Sequence, residues 1–234
     1  MSGTLYGVGV GPGDPELITL KAHRLISQAK VIAYPAADHG VSFARQIVSD
    51  FISENCHEIP MIIPMRSERF PAQTVYDRAA ERIAVHLDEG QDVVTICEGD
   101  PFFYGSFMYL FARLVERFRT QIVPGVSSLN ACTAAAMRPL CARNEVLTVI
   151  PSTLPASELK SLLAQGGATA ILKVGRHLPV LREVIEKAGL AARAVFVAHA
   201  SLPYQSVLPL AEAPETAPYF SMVLIAGTDP YAAG

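Results

Sequence analysis

The sequence predicts an α/β protein of two domains, the first with a largely parallel sheet and the second with a mixed sheet. In the first 140 residues, short apolar runs alternate with segments that carry apolar residues at helical spacing. Such alternation is typical of a parallel sheet covered by helices on both faces. Beyond residue 140 the last strand-like runs follow one another without a helix between them, which favours antiparallel pairing. We therefore expect domains at 1–140 and 141–234.

The elements of the first domain follow from the hydrophobic pattern. Strands are predicted at 5–10, 31–34, 57–63, 92–97 and 121–123. Helices are predicted at 16–29, 42–53, 74–89, 102–118 and 128–137. Gly90 ends the third of these helices and Pro139 the last.

The second domain has more strands than helices. Its strand-like runs lie at 146–150, 168–174, 194–198, 206–210 and 219–226. Helices are predicted only at 156–164 and 178–188.

Composition excludes several classes of function. The chain has 234 residues and a net charge of −3, whereas a surface that follows nucleic-acid phosphates is usually basic. No apolar run approaches the roughly 20 residues that a membrane helix needs, and no secretory signal is visible at the N-terminus. The cysteines and histidines show no metal-ligand spacing. We expect a cytoplasmic protein with free thiols, without a metal site and without a nucleic-acid or membrane partner.

A glycine-rich segment follows the first strand, but its spacing does not fit a dinucleotide site. Residues 7–13 have the sequence GVGVGPG. Counted from Gly7, the third glycine of the required motif is Pro12, and counted from Gly9 it is Asp14. Proline also lacks the amide hydrogen that a pyrophosphate would bind. A nucleotide-linked oxidoreductase is therefore disfavoured, and a test of tight NAD binding would decide the matter.

Three strand-to-helix loops, at 11–14, 98–101 and 124–128, are expected to meet at the carboxyl edge of the first sheet, where open α/β folds bind ligands. They contain acids and hydroxyls but neither Lys nor Arg. This chemistry suits a cationic or neutral ligand with ribose hydroxyls, such as S-adenosylmethionine, better than a phosphate. Methyl transfer from a sulfonium needs alignment and exclusion of water, without a metal or a protein nucleophile.

Two of the loops share the sequence Gly-Asp-Pro, at 13–15 and 99–101. Asp is favoured at a helix N-cap and Pro in the first turn. A helix start is therefore predicted at both places.

The same loops carry a resemblance to a known family. The segments are LYGVGVGPGDPELITLKA at 5–22, CEGDPFFYG at 97–105 and VPGVSS at 123–128. In this order they resemble the tetrapyrrole (corrin/porphyrin) methylase family, and the match runs nearly end to end. The resemblance implies methyl transfer from S-adenosylmethionine to a tetrapyrrole, two α/β domains with the ligand cleft between them, and a homodimer.

Carried over by position, the resemblance implies cofactor-binding residues in both domains. They are Pro12, Glu98, Gly99, Asp100, Phe103, Ser127, Ser128, Val174 and Ala200. Glu98 stands where relatives often have Gly, Val174 where Met is common, and Ala200 where Gly is usual. Because backbone groups make many of these contacts in the family, a different residue type at one of these positions affects the assignment of that position and not the resemblance as a whole. The carboxylate of Asp100 is a candidate partner for ribose hydroxyls or the cofactor ammonium.

A tetrapyrrole carries several carboxylates, so arginines are its natural partners. The substrate-binding candidates are Arg66, Arg69, Arg138, Arg143 and Tyr104. Tyr104, His177 and His199 are also candidates for moving a proton, and the sequence does not choose a general base among them. The methylated position and the presence of cobalt in the substrate stay open. A non-catalytic cofactor sensor is a further alternative, which predicts binding without turnover.

Overall fold

The computed structural model describes residues 2–38, 41–63 and 69–228, and of residues 69–72 it describes the backbone alone. The chain divides into two compact units, Met1–Ser127 and Ser128–Gly234. This division falls before the helix predicted at 128–137, whereas the predicted boundary at 140 lies after that helix. The physical reason is packing: Ala131 and Cys132 of this helix belong to a hydrophobic cluster with residues of the second sheet.

The first unit contains a sheet of five parallel strands in the order β3-β2-β4-β1-β5. The strands are β1 (Leu5–Gly9), β2 (Val31–Ala36), β3 (His57–Ile62), β4 (Val93–Cys97) and β5 (Thr120–Val123). All five predicted strands are present, and the predicted parallel pairing is confirmed. Because β1 lies between β4 and β5, the carboxyl ends of these three strands are neighbours.

Four α-helices cover this sheet: α1 (Leu20–Ser27), α2 (Phe43–Ile47), α3 (Arg69–Asp88) and α4 (Phe107–Leu114). Residues of α3 and α4 pack on one face with Leu5, Val93 and Cys97. Residues of α1 and α2 pack on the other face with Val8 and Ile96. Both faces are therefore buried, as the continuous apolar strands predict.

Two predicted helix starts need correction. The cap at Asp14 is confirmed, since its Oδ1 accepts a hydrogen bond from Glu16 N at 2.8 Å, but it opens only the 3₁₀ turn Pro15–Leu17. α1 begins later, after Thr19, whose hydroxyl accepts from Ala22 N at 3.2 Å. The helix predicted at 102–118 begins at Phe107, because Tyr104 has a φ of 57°, which a right-handed helix cannot contain.

The second unit contains a mixed sheet in the order β6-β7-β10-β8-β9. The strands are β6 (Leu147–Pro151), β7 (Ala168–Leu172), β8 (Ala194–Ala198), β9 (Ser206–Pro209) and β10 (Ser221–Ile225), and the helices are α5 (Ser128–Ala135), α6 (Ala156–Leu163) and α7 (Leu178–Lys187). Only β6 and β7 pair in parallel, so the predicted antiparallel pairing of the last strands is confirmed. β7 and β8 both run antiparallel to β10, which places their carboxyl ends at the same edge.

Candidate functional site

Three glycines bring the loops after β1, β4 and β5 into backbone contact. A Cβ added to Gly125 would lie 2.0 Å from the carbonyl oxygen of Gly99, and one added to Gly9 would lie 2.3 Å from the same oxygen. Real Cβ atoms do not approach so closely, so each position requires glycine. We call Gly9, Gly99 and Gly125 the glycine junction. It confirms that the three loops meet at one edge of the first sheet.

A short bridge reinforces this junction. Gly99 N donates to Gly11 O at 2.8 Å, and Gly11 N donates to Gly99 O at 3.4 Å. Both residues have left-handed φ values, 62° and 83°, which glycine adopts without steric cost. The loop after β1 is therefore joined to the loop after β4 through main-chain atoms.

Asp100 holds the same loops together through its side chain. Its Oδ1 accepts hydrogen bonds from Phe102 N at 2.9 Å and Phe103 N at 3.0 Å. Its Oδ2 accepts from Gly125 N at 3.2 Å. This is the capping geometry predicted for Asp100, although no helix follows directly. The carboxylate is thus engaged by three backbone donors, so its first role is to fix the loop conformation.

Glu98 makes a contact that the sequence analysis missed. The residue is partly buried directly after β4, and its Oε1 accepts from Ala44 N, at the start of α2, at 3.2 Å. Burial raises the pKa of this carboxyl above its ordinary value, against the lowering effect of the Ala44 hydrogen bond. An acid where relatives often have glycine was the one available signal that this position acts through its side chain.

The other predicted cofactor residues of the first unit lie in the same loops. Pro12 and Ser127 are partly buried, and Phe103 is 38% exposed. Tyr104, the substrate candidate, is next to Phe103 and packs edge-on against its ring. The first unit therefore brings most of the predicted residues together around the glycine junction.

In the second unit, Ser128 is the exposed first residue of α5, while Val174 and Ala200 follow β7 and β8 at the edge those strands share. The side chains of Val174 and Ala200 are buried. The carbonyl oxygen of Val174 already accepts a hydrogen bond from His177 N at 2.7 Å, so contact of these two positions with a ligand stays a prediction. Their neighbours Lys173, His199 and Ser201 have left-handed φ values of 58°, 52° and 70°, and this feature left no signal in the sequence.

Of the four predicted arginines, the structure describes the side chains of Arg138 and Arg143. Arg66 lies outside the described residues, and the side chain of Arg69, the first residue of α3, lies outside them too. Arg138 is partly buried and donates to the carbonyl oxygen of Arg193 at 3.5 Å. Arg143 is exposed, with a φ of 49°. Their contact with a substrate stays a prediction.

None of the described helices has the length and apolar character needed to cross a membrane. Within the described part of the chain, no group of three or more His, Cys, Asp or Glu side chains is arranged to hold a metal ion.

Comparisons of sequence link the chain to a family. The family model described as Tetrapyrrole (Corrin/Porphyrin) Methylases matches residues 4–214. The chain is 38% identical to the Precorrin-2 C(20)-methyltransferase of Sinorhizobium sp, over 96% of each chain. It is 44% identical to the Cobalamin biosynthesis protein CobIJ of Mycobacterium tuberculosis, over 96% of this chain and 46% of that protein. The chain thus spans about half the length of the CobIJ proteins that it matches.

Solved structures give the same fold. The chain resembles cobalt precorrin-4 methyltransferase, CbiF, with a TM-score of 0.73 and 25% identity, over 96% of this chain and 94% of that one. A uroporphyrin-III C-methyl transferase from Thermus thermophilus, complexed with S-adenyl homocysteine, gives a TM-score of 0.68 at 23% identity, over 96% and 92% of the two chains. At that identity the second likeness concerns the fold alone.

Proposed function

We infer the function from one premise: the chain belongs to the tetrapyrrole (corrin/porphyrin) methylase family. We propose that it transfers a methyl group from S-adenosylmethionine to C20 of precorrin-2, giving precorrin-3A in cobalamin biosynthesis. The observation that carries this proposal is the 38% identity, over 96% of both chains, to a protein named for that activity. A second candidate substrate is cobalt-precorrin-2, favoured by 29% identity to the Cobalt-precorrin-2 C(20)-methyltransferase of Salmonella typhimurium.

The chemistry of the first unit's loops supports S-adenosylmethionine as the methyl donor. The loops at 11–14, 98–101 and 124–128 contain no Lys or Arg, and the carboxyl groups of Glu98 and Asp100 lie beside the glycine junction. Such surroundings suit a cation better than a phosphate. The proposed donor-binding residues are Pro12, Glu98, Gly99, Asp100, Phe103, Ser127, Ser128, Val174 and Ala200.

The proposed reaction is a direct displacement. C20 supplies the electron pair that forms the new bond to the methyl carbon, and the sulfur keeps the electron pair of the bond that breaks. C20 then gives its proton to a base or to water, the ring recovers its conjugation, and S-adenosylhomocysteine leaves as the second product. The protein accelerates such a step by aligning the two reactants and excluding water. The rigid backbone contacts of the glycine junction and Asp100 suit this task, because they fix the loops before a ligand binds.

We further propose that the enzyme is a cytoplasmic homodimer with no nucleic-acid or membrane partner. The four cysteines, Cys56, Cys97, Cys132 and Cys141, are all free, which supports a reducing compartment. The dimer rests on the family resemblance.

The decisive assay uses S-adenosylmethionine with a ¹³C-labelled methyl group. The purified protein is incubated with this donor and either precorrin-2 or cobalt-precorrin-2, and NMR locates the label. We expect label at C20, and the faster of the two substrates identifies the natural one. Label at C2, C7 or C17 would reject the C20 assignment and keep the family. No transfer to either compound, with donor binding intact, would favour a cofactor sensor, and tight NAD binding would favour the oxidoreductase.

A further inference from the structure

Three consecutive aromatic residues, Phe102, Phe103 and Tyr104, follow Asp100, and we call them the aromatic turn. Their side chains are 45%, 38% and 47% exposed. Phe102 packs edge-on against Phe111 with 5.1 Å between ring centroids, and Phe103 packs edge-on against Tyr104 at 5.3 Å. Burial of aromatic rings is strongly favourable. A run of partly exposed rings beside a ligand site is therefore a candidate binding surface.

Tyr104 has a backbone conformation that bulky residues rarely adopt. Its φ is 57°, and among the described residues of the first unit it alone combines a side chain with a positive φ. This conformation costs free energy at a tyrosine, since the Cβ approaches its own carbonyl oxygen. Strain of this kind persists where the surroundings enforce it, and it clusters at ligand sites.

The contacts on both sides of Tyr104 enforce its conformation. Before it, Asp100 binds the backbone N–H groups of Phe102 and Phe103. After it, Gly105 packs so closely that an added Cβ would lie 2.3 Å from the carbonyl oxygen of Asp100. The backbone conformation of Tyr104 is thus fixed by the fold before any ligand arrives.

We propose that Tyr104 is a substrate-binding residue whose ring contacts the face of the tetrapyrrole macrocycle. This inference rests on the proposed function. The aromatic turn adjoins the proposed donor loops, because Oδ2 of Asp100 binds Gly125 in the glycine junction. A methyl acceptor must come next to the donor, and a tetrapyrrole presents broad, mostly apolar faces that an aromatic ring can contact.

The proposal assigns the contact to the ring, in contrast to a proton-transfer role, which would need the hydroxyl. Tyr104→Phe keeps the ring and removes the hydroxyl. Tyr104→Asn removes the ring, and asparagine tolerates a left-handed backbone, so the strain falls as well. The two variants therefore separate the two roles without a large risk to folding, and Tyr104→Gly repeats the second with no restriction on φ.

The experiment measures the dissociation constants for precorrin-2 and for S-adenosylhomocysteine by titration calorimetry, together with the melting temperature. We expect Tyr104→Asn to weaken precorrin-2 binding about tenfold, the order expected for loss of an aromatic contact. Its melting temperature should be unchanged or higher, and its S-adenosylhomocysteine binding unchanged. Tyr104→Phe should match the native protein. The control is Tyr109→Asn, which removes a 42% exposed tyrosine from α4 and should lower stability without changing precorrin-2 affinity.

Three results would overturn the inference: equal precorrin-2 affinity in Tyr104→Asn and the native protein, a loss confined to S-adenosylhomocysteine, or a loss in Tyr104→Phe as large as in Tyr104→Asn. A native protein that binds no precorrin-2 would instead refute the proposed function. The two failures are thus distinguishable from the native titration alone.

Discussion

The two units have different residue types at the left-handed backbone positions that follow their strands. In the first unit, the left-handed position after β4 is Gly99, with a φ of 62°. In the second unit, the positions after β7 and β8 are Lys173, His199 and Ser201, with φ values of 52–70°. Gly9 and Gly125 of the glycine junction do not have a positive φ, yet a Cβ there would lie 2.0–2.3 Å from the Gly99 carbonyl oxygen. Close approach of main chains therefore demands glycine more strictly than φ does.

The variant with the largest expected effect on stability is Gly125→Ala, which tests the role of close main-chain approach. The added methyl would lie 2.0 Å from Gly99 O and 2.9 Å from the Cα of Gly9, both of them backbone atoms that cannot rotate away. We expect a loss of about 3 kcal/mol or more in the free energy of unfolding, together with loss of S-adenosylhomocysteine binding. Urea denaturation and calorimetry measure the two effects.

The matched control is Gly189→Ala. Gly189 has a φ of 71°, but a Cβ there would meet nothing within 4 Å, so we expect only the left-handed strain of about 1 kcal/mol. Equal losses in the two variants would contradict the distinction between close approach and φ.

The meeting of the three loops could be predicted from the sequence, because parallel strands end at a common edge; the close contact of Gly9, Gly99 and Gly125 is known only from the structure. The strand set and the antiparallel pairing of the second sheet followed in the same way from apolar periodicity. The start of α4 could not, because the interruption is a tyrosine with a positive φ, and nothing in the residue type signals it. Nor could the hydrogen bond that Glu98 accepts from Ala44 N, because Ala44 lies 54 positions away in the chain, in α2.

The left-handed conformations of the residues beside Val174 and Ala200 could not be predicted from the sequence, for the same reason as that of Tyr104. Lys has no preference for this conformation, and although His is enriched in it, the conformation is uncommon at both residue types, so their φ values depend on tertiary contacts. The sequence could place the two site residues at strand ends only through the family resemblance. Backbone sites built from glycine are therefore easier to predict than backbone sites built from strained residues.

Asp100→Ala tests whether the junction needs a side chain as well as glycines. The substitution leaves the N–H groups of Phe102, Phe103 and Gly125 without their acceptor, and we expect a loss of about 2 kcal/mol in stability. Asp100→Asn should lose less, because its Oδ1 still accepts from Phe102 and Phe103. Denaturation curves of the three proteins provide the measurement. Native stability in Asp100→Ala would mean that the glycines alone hold the loops.

A pH series on Glu98 tests the electrostatics at the edge of the junction. Burial raises the pKa of its carboxyl above 4.5, so the folded protein binds more protons than the unfolded one between that value and the raised pKa. Stability then falls as pH rises through this window. Glu98→Gln keeps an acceptor for Ala44 N, so we expect a higher melting temperature at neutral pH and a gain that disappears below about pH 4.5.

Glu58→Gln provides a control of opposite sign. Arg45 donates two hydrogen bonds to the Glu58 carboxylate, at 3.0 Å and 2.9 Å, and these lower its pKa below 4.5. The ionised form therefore stabilises the fold above that value, and the contribution is lost as pH falls through the lowered pKa. Glu58→Gln should lower the melting temperature at neutral pH, with a difference that shrinks in acid. If the melting temperatures of Glu98→Gln and Glu58→Gln, relative to the native protein, changed with pH in the same direction, the opposite pKa shifts assigned to the two carboxyls would be refuted.

The smallest expected change in the free energy of unfolding comes from replacing Lys173, in the second unit, with glycine. Lys173 is exposed, with a φ of 58°, and its carbonyl oxygen accepts a hydrogen bond from Ser152 Oγ at 2.6 Å. Lys173→Gly keeps that acceptor and removes the strain, so we expect a gain of up to about 1 kcal/mol in urea denaturation. Lys160→Gly, at an exposed position of α6, should instead cost about 1 kcal/mol. A lower free energy of unfolding in both variants would mean that tertiary contacts of the Lys173 side chain outweigh its backbone strain. A side chain at this left-handed position would then be more stabilising than glycine.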